Sequence, residues 1–497
     1  MTPIKRLARI GVAVTDVRLL IAICFVFNLG TGSFAVRAVN AQVPTAKLLH
    51  VFPVGGKIGS TVEVAVAGAD LDESAEMVFS DPRITAKVKM TAGTEFAASV
   101  PISNQFVVTI PADVEPGIVE VRLSGRFGLS TPRRFVVGVG DELINSDQNK
   151  TAETAMPISV NSVVNGRAVA NAAHFFKFAL KKDEKVTIDC ATRFIDSRMH
   201  PVLTIMDLNG KELGRARSTS VRPATLFFKS PIESQFIVSV RDAVYAGNAD
   251  YFYRLDVSNR PYLTAVFPSV VQAKSNPVLK LYGWNLPGGR MLDGSLEELS
   301  KTAAEVVGDS RNSDDLPLWT SNFSVDWKSV GLYEKGKLLS NRLPVYGTHL
   351  PVAAENEVGE STTVTIPTVV SGRFLPGTES DFYEFDAKAG EIYYLDAYSH
   401  RNGNDSDLIM TVQQKQTDGE GKVSWKRLTV ADEPGNRGGG PGPDFSITTD
   451  DPTIRFQVPA DGRFRLVLKD QFGTYQNNMA SSYRVVIRKP TPDFSVV

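Results

Sequence analysis

The sequence has only two cysteines, five histidines and four tryptophans among 497 residues, and no excess of either charge. Each shortage excludes something. Cys24 lies in an N-terminal apolar run, so a chain that loses this run keeps Cys190 alone and cannot close an internal disulfide. Its domains must then hold by packing. Lys and Arg number 54 against 55 Asp and Glu, for a net charge of -1. No broad field therefore draws nucleic acid or an anionic membrane, and no nucleic-acid partner is expected. Catalytic signatures are missing as well. There is no Gly-x-Ser-x-Gly elbow, no His is followed by Glu, and every Gly-Lys pair continues with Ile, Glu, Leu or Val rather than Ser or Thr. No catalytic residue is assigned, and the chain is read as a non-enzyme.

What is present begins with an export signal. Lys5, Arg6, Arg9 and Arg18 precede the apolar run Leu19 to Leu29, and Val39-Asn40-Ala41 supplies small residues for cleavage after Ala41. The run is shorter than the roughly 20 residues a spanning helix needs, so no transmembrane helix is expected after cleavage. Ile23 stands before Cys24 where lipid attachment wants Gly, Ala or Ser, which argues against a lipoprotein. The expected location is periplasmic, cell-surface or extracellular.

From Gln42 onward the chain is written twice. Leu48 to Leu71 aligns without a gap on Leu263 to Leu286, sharing Val-Phe-Pro and a Gly-x-x-Leu end. VVNGRA (Val163 to Ala168) matches VVSGRF (Val369 to Phe374), and His174 to Cys190 matches Asp381 to Ala397. PIESQFIVSVRD (Pro231 to Asp242) matches PADGRFRLVLKD (Pro459 to Asp470), each followed by Tyr-Arg-Leu or Tyr-Arg-Val. Two kinds of module therefore alternate. Modules one and three cover 42–140 and 261–350; modules two and four cover 141–260 and 351–490; 491–497 reads as a Pro-bearing tail or linker.

Most matched segments alternate apolar and polar residues with period two, rich in Val, Ile, Phe, Tyr and Thr and bounded by Gly, Pro, Asn and Asp. This predicts short antiparallel strands and an all-β chain of four tandem β-sandwiches. Val62, Val64 and Val66 share one phase, with Leu279 and Leu281 in the second copy; Gly68 or Gly283 stops the strand. Phe176 and Phe178, or Tyr383 and Phe385, should point inward. Cys190 aligns with Ala397 and is expected to be small and buried. LEELSKTAAEVV (Leu296 to Val307) has helix-forming composition and predicts a short helical insertion in module three. PGNRGGGPGPD (Pro434 to Asp444) predicts a loop.

Modules two and four resemble the bacterial pre-peptidase C-terminal domain. The residues that carry this are Asp381-Phe382-Tyr383-Glu384-Phe385 with Ala387-Lys388-Ala389-Gly390, HPVLTIMDLNGKEL (His200 to Leu213), Pro459 to Phe464, and Tyr483-Arg484-Val485. Modules one and three are similar to immunoglobulin-like domains with a TIG-type start. The resemblance implies exported, non-catalytic sandwich modules that bind extracellular polymers, build surface proteins or assist a partnered enzyme. It leaves open a binding or scaffolding protein, the accessory region of a secreted peptidase, and an adhesin for polysaccharide or matrix protein. The partner is unknown.

One pair of positions is chemically distinctive. The gapless match puts His174 on Asp381 and His200 on Asp407, so both positions are His in one copy and Asp in the other. The resemblance implies Asp at both, which makes the first copy the departure. Were the positions neighbours, Asp381 and Asp407 could hold Ca²⁺, and the His pair could take a transition metal or respond to pH. Otherwise each side chain starts a strand and caps a turn. No other cofactor is expected. Asp432, Glu433, Asp450 and Asp451 flank the Gly-rich segment as solvated charges or further ligands. Tyr282 and Trp284 replace Ala67 and Ala69, with Tyr282 on the outward phase, and form either a ligand platform or a contact with a neighbouring module. Tyr393, Tyr394 and Tyr398 carry the same two readings.

Overall fold

The computed structural model describes residues 44–72, 76–93, 98–219, 222–272, 275, 277–293, 296–302, 327–356, 360–374, 380–404, 406–432, 449–471 and 481–490. Ala41, Glu433, the Gly-rich segment 434–444 and the tail 491–497 lie outside these residues. The described chain is all-β, with short 3₁₀ turns and no α-helix.

Its sheets fall in four groups, at 47–138, 141–258, 262–348 and 352–488, and among the described residues none joins two groups. In module two one sheet runs Asp141–Ile144, Ser162–Arg167, Phe252–Ser258, Lys185–Ala191, Ala224–Lys229, and the other runs Met156–Pro157, His174–Leu180, Ser234–Asp242, Pro201–Met206, Glu212–Arg217. Module four repeats both orders strand for strand. Its sheets run Val352–Ala354, Thr368–Phe374, Ser481–Arg488, Ile392–Tyr398, Thr453–Gln457, and Ser361–Thr363, Asp381–Ala387, Gly462–Asp470, Leu408–Thr417, Val423–Ala431. In module one, Lys47–Phe52, Ser60–Ala69, Pro101–Ile110 and Thr85–Met90 pair in that order, and module three pairs Tyr262–Phe267, Val278–Trp284, Leu296–Thr302 and Arg290–Asp293 likewise.

The period-two reading translates directly into packing. Val64 and Val66 are buried while Glu63 and Ala65 are exposed. Phe176, Phe178, Tyr383 and Phe385 all lie in the cores between paired sheets. Cys190 and Ala397 are fully buried in matching places, and burial pushes the Cys190 thiol well above its usual range.

Two expectations are corrected. Leu296–Thr302 is a strand, not the start of a helix: it pairs antiparallel with Val278–Trp284, setting Leu299 opposite Leu281, on the edge that Pro101–Ile110 fills in module one. An edge strand with unpaired N–H and C=O groups outweighs helix propensities of at most about 0.7 kcal/mol per residue. Residues 303–307 lie outside the described chain. Gly68 and Gly283 do not end their strands; they sit within them, opposite a bulge. A Cβ at either would stand 2.0 or 2.1 Å from the carbonyl oxygen of Lys47 or Tyr262, so glycine is required by close backbone approach.

The matched motifs meet where modules join. In the first half the Arg167 guanidinium lies 4.2 Å from the centre of the Phe52 ring; in the second Arg373 lies 4.3 Å from that of Phe267. Each phenylalanine precedes a cis-proline, Pro53 or Pro268. Each arginine follows a glycine, Gly166 or Gly372, whose missing side chain makes room for the ring of Tyr253 or Tyr483 on the adjacent strand. Apolar contacts seal the joints: Val54, Ile195 and Phe252 in the first, Val270, Tyr346 and Val369 in the second.

A methyl group at Gly372 would stand 2.1 Å from the Tyr483 ring. Gly372→Ala should therefore destabilise the chain by about 1–3 kcal/mol, the usual cost of overpacking. Gly419→Ala, which meets nothing within 4 Å, should leave the urea midpoint unchanged. Equal midpoints for the two variants would refute the packing account.

A candidate binding groove between the modules

The outer face of the module two sheet containing Lys185–Ala191 and Phe252–Ser258 is not left to solvent. Ala191 faces Arg254, Asp189 faces Asp256 and Thr187 faces Ser258 across these strands, and cross-strand partners share a face. This face forms one wall of a groove of about 1080 Å³, whose other walls include Val137 of module one, Tyr262 and Arg342 of module three, and Asn404 of module four. All four modules contribute to it.

The groove is rich in guanidinium groups. Arg254 pairs with Glu142 within module two, Arg342 of module three pairs with Glu115 of module one, and Arg260 reaches Asp256 at 2.5 Å. Arg222 crosses from module two to module four, donating to the Gly403 carbonyl at 3.2 Å and to Asn404 Oδ1 at 2.8 Å. Arg241 donates to the backbone carbonyls of Asp242 and Ala243, and Arg217, in register with it on the other side of Val202, is exposed. Arg217 and Arg241 thus present positive charge not neutralised by a carboxylate among the described residues.

The acids on the wall respond to enclosure. Burial pushes Asp189 up to about 6, the neighbouring Asp256 charge adding to the rise, against hydrogen bonds from Thr225 Oγ1 at 2.5 Å and Tyr262 Oη at 3.5 Å. Asp256 is raised as well by burial, with Arg260 and Arg254 opposing. Thr187 Oγ1 is buried on the same wall without a hydrogen-bond partner.

The residues singled out in the sequence lie elsewhere. Asp381 and Leu468 face each other, and Met410 faces Leu468 from the far side, so a whole strand separates Asp381 from the segment that begins beside Asp407. The gap is two strand spacings, about 10 Å. His174 and His200 are divided by the strand Ser234–Asp242 in the same way. Neither pair is brought together. Asp381 is buried and accepts a 2.5 Å hydrogen bond from Tyr483 Oη, which also lies 2.7 Å from Tyr383 Oη; burial raises Asp381 to about 6. His174, equally buried, places Nδ1 2.9 Å from Tyr253 Oη, and its pKa is lowered by burial. Both side chains serve the buried tyrosine of the joint. His200 and Asp407 give their backbone N–H groups to Asp242 and Asp470. Among the described residues no three His, Cys, Asp or Glu side chains gather in a way that could hold a metal.

The aromatic candidates divide similarly. Tyr282 points outward from its own core, yet it is buried, because Arg373 of module four donates to its hydroxyl at 2.6 Å. Trp284 is covered by Lys185, 4.8 Å from its ring, and by Phe227 of module two. Both are module contacts. Tyr393 is buried, and Tyr398 lies under Arg401 and Arg484. Asp451 is fully buried and accepts the N–H groups of Ser399, His400 and Arg401, so it builds a turn; Asp432 is exposed, and Asp450 stands 3.7 Å from His400. Sequence reasoning missed the groove arginines, whose only signal was the matched Tyr-Arg pair at Arg254 and Arg484.

No family model matches this chain, and no curated protein matches it in sequence. Solved structures resemble it in part. The pre-peptidase C-terminal domain of a collagenase from Bacillus anthracis is 10% identical, aligning 27% of this chain with 99% of that one at a TM-score of 0.18. A periplasmic inhibitor of g-type lysozyme from Aeromonas hydrophila is 13% identical over 28% of this chain and 99% of its own, at 0.18. A glucan-utilization protein of Bacteroides ovatus, solved with a mixed-linkage heptasaccharide, is 9% identical over 89% of this chain and 75% of its own, at 0.16. Likenesses of this size carry nothing about function. Among the described residues no helix is long and apolar enough to cross a membrane.

Because Asp189 is raised from 3.8 to about 6, the folded state holds more protons than the unfolded state between those values. Its stabilising contribution is complete below the lower value and is lost as pH rises through the upper one. Asp189→Asn should therefore gain melting temperature over the parent as pH rises from about 4 to about 7. A difference that stays constant across this range would contradict the assigned burial.

Proposed function

We propose that this chain is an exported, non-catalytic binding and scaffolding protein of the cell surface or periplasm that holds an extracellular polymer or protein in the groove shared by its modules. The observation that carries this reading is the convergence of all four modules on one arginine-lined groove. A large concave site with a few placed polar groups is the usual form of a binding site. The export signal ending at Ala41, the near-neutral charge and the resemblance of modules two and four to pre-peptidase C-terminal domains support the same reading.

The purified chain should leave casein and chromogenic esters unhydrolysed, and the immobilised chain should retain at least one polymer from a panel of extracellular polysaccharides and matrix proteins. Joint replacement of Arg217 and Arg241 by Glu should cut retention about tenfold, the equivalent of about 1.4 kcal/mol. Hydrolysis that survives repurification would refute the non-catalytic assignment. Unchanged retention in the double variant would refute the groove as the site.

A further inference from the structure

The joints cover one sheet of module four, and the outer face of its other sheet carries a second surface, independent of the groove. Here Glu384, Arg465, Gln413 and Arg427 stand in one row across four strands, with Phe382 on the row to one side and Trp425 on the row to the other. The Arg465 guanidinium lies between the two rings, 4.9 Å from the Phe382 centre and 4.3 Å from that of Trp425. Its Nε donates to Gln413 Oε1 at 2.6 Å, which orients the planar group. Both rings remain partly exposed.

The charges on this face are unevenly matched. Arg463 takes both nearby carboxylates, Glu384 at 2.7 Å and Asp386 at 3.4 Å. Among the described residues Arg465, Lys415 and Arg427 form no salt bridge. The face therefore offers two flat apolar surfaces separated by an oriented guanidinium, with two further cations beside it.

The sandwich fold does not demand this arrangement. In module two the positions of Arg465 and Gln413 are Ile237 and Met206, and Ile237 is buried. Trp425 stands on a hairpin of ten- and nine-residue strands where module two has six and six. The arrangement is present in module four and absent from module two.

We propose that this face binds a strand of acidic polysaccharide, with sugar rings stacked on Phe382 and Trp425 and a uronate carboxylate bound by Arg465. The apolar C–H face of a pyranose matches an aromatic ring, and a planar guanidinium receives a carboxylate through two parallel hydrogen bonds. Rings on both sides of the arginine call for an oligomer rather than a single sugar. The unpaired Lys415 and Arg427 select an anionic chain over a neutral one.

Affinity electrophoresis of the full chain through gels containing polygalacturonate, with hydroxyethylcellulose gels as the neutral comparison, tests this. The parent should be retarded by polygalacturonate and not by hydroxyethylcellulose. Trp425→Ala and Arg465→Gln should each weaken retardation about tenfold, while Trp425→Phe keeps most of it. Lys211→Ala, on an exposed turn of module two outside the groove, should leave it unchanged, and far-ultraviolet circular dichroism should match the parent in every variant. The proposal is overturned by failure of the parent to bind polygalacturonate, by equal retardation in the neutral gel, or by loss in the groove variant Arg217→Ala with binding intact in the module four variants. That last result would assign the polysaccharide to the groove.

Discussion

A guanidinium stacked on a phenylalanine ring across a module boundary is the contact on which the rest of this architecture depends. It occurs twice, as Arg167 on Phe52 and as Arg373 on Phe267, at distances that agree within 0.1 Å. Each needs the same supporting parts: a glycine before the arginine, a tyrosine filling the space that glycine leaves, and a polar side chain, His174 or Asp381, to satisfy the tyrosine hydroxyl. A buried hydroxyl without a partner costs about 1–3 kcal/mol, which explains why the partner can change from imidazole to carboxylate but stays polar. The shared Phe-Pro and Gly-Arg pairs and the matched tyrosines are therefore parts of a joint.

The groove follows from these joints. A sandwich alone would show water the outer face of both its sheets, and acids there would titrate normally. Once neighbouring modules are held over that face, Asp189 and Asp256 lose solvent and rise in pKa, and arginines that would be surface decoration become walls. Arg222 reaching Asn404 and Glu115 meeting Arg342 show that contacts also cross between the two halves. The groove is thereby a property of the arrangement of modules and not of any one of them.

Strand period, core aromatics and the order of modules were legible because each is set by residues near one another in sequence. The misread segment, Leu296–Thr302, has composition that favours a helix in isolation, and only the open edge of Val278–Trp284 makes it a strand. Tyr282 was placed on the outward phase correctly, but its burial depends on Arg373, 91 residues away. The column of His and Asp was visible by alignment, yet its meaning lay in Tyr253 and Tyr483, 79 and 102 residues distant. The groove was invisible for the same reason: its arginines come from separate strands and loops that only tertiary packing brings together.

A double-mutant cycle between Phe267 and Arg373, with Phe267→Leu, Arg373→Met and both, tests the account most directly through urea unfolding of the four proteins. The stack predicts a coupling energy of about 1–2 kcal/mol, as expected for a cation over a ring largely removed from water. Additivity within about 0.3 kcal/mol would mean that the two side chains are merely adjacent and that the joint is held by something else.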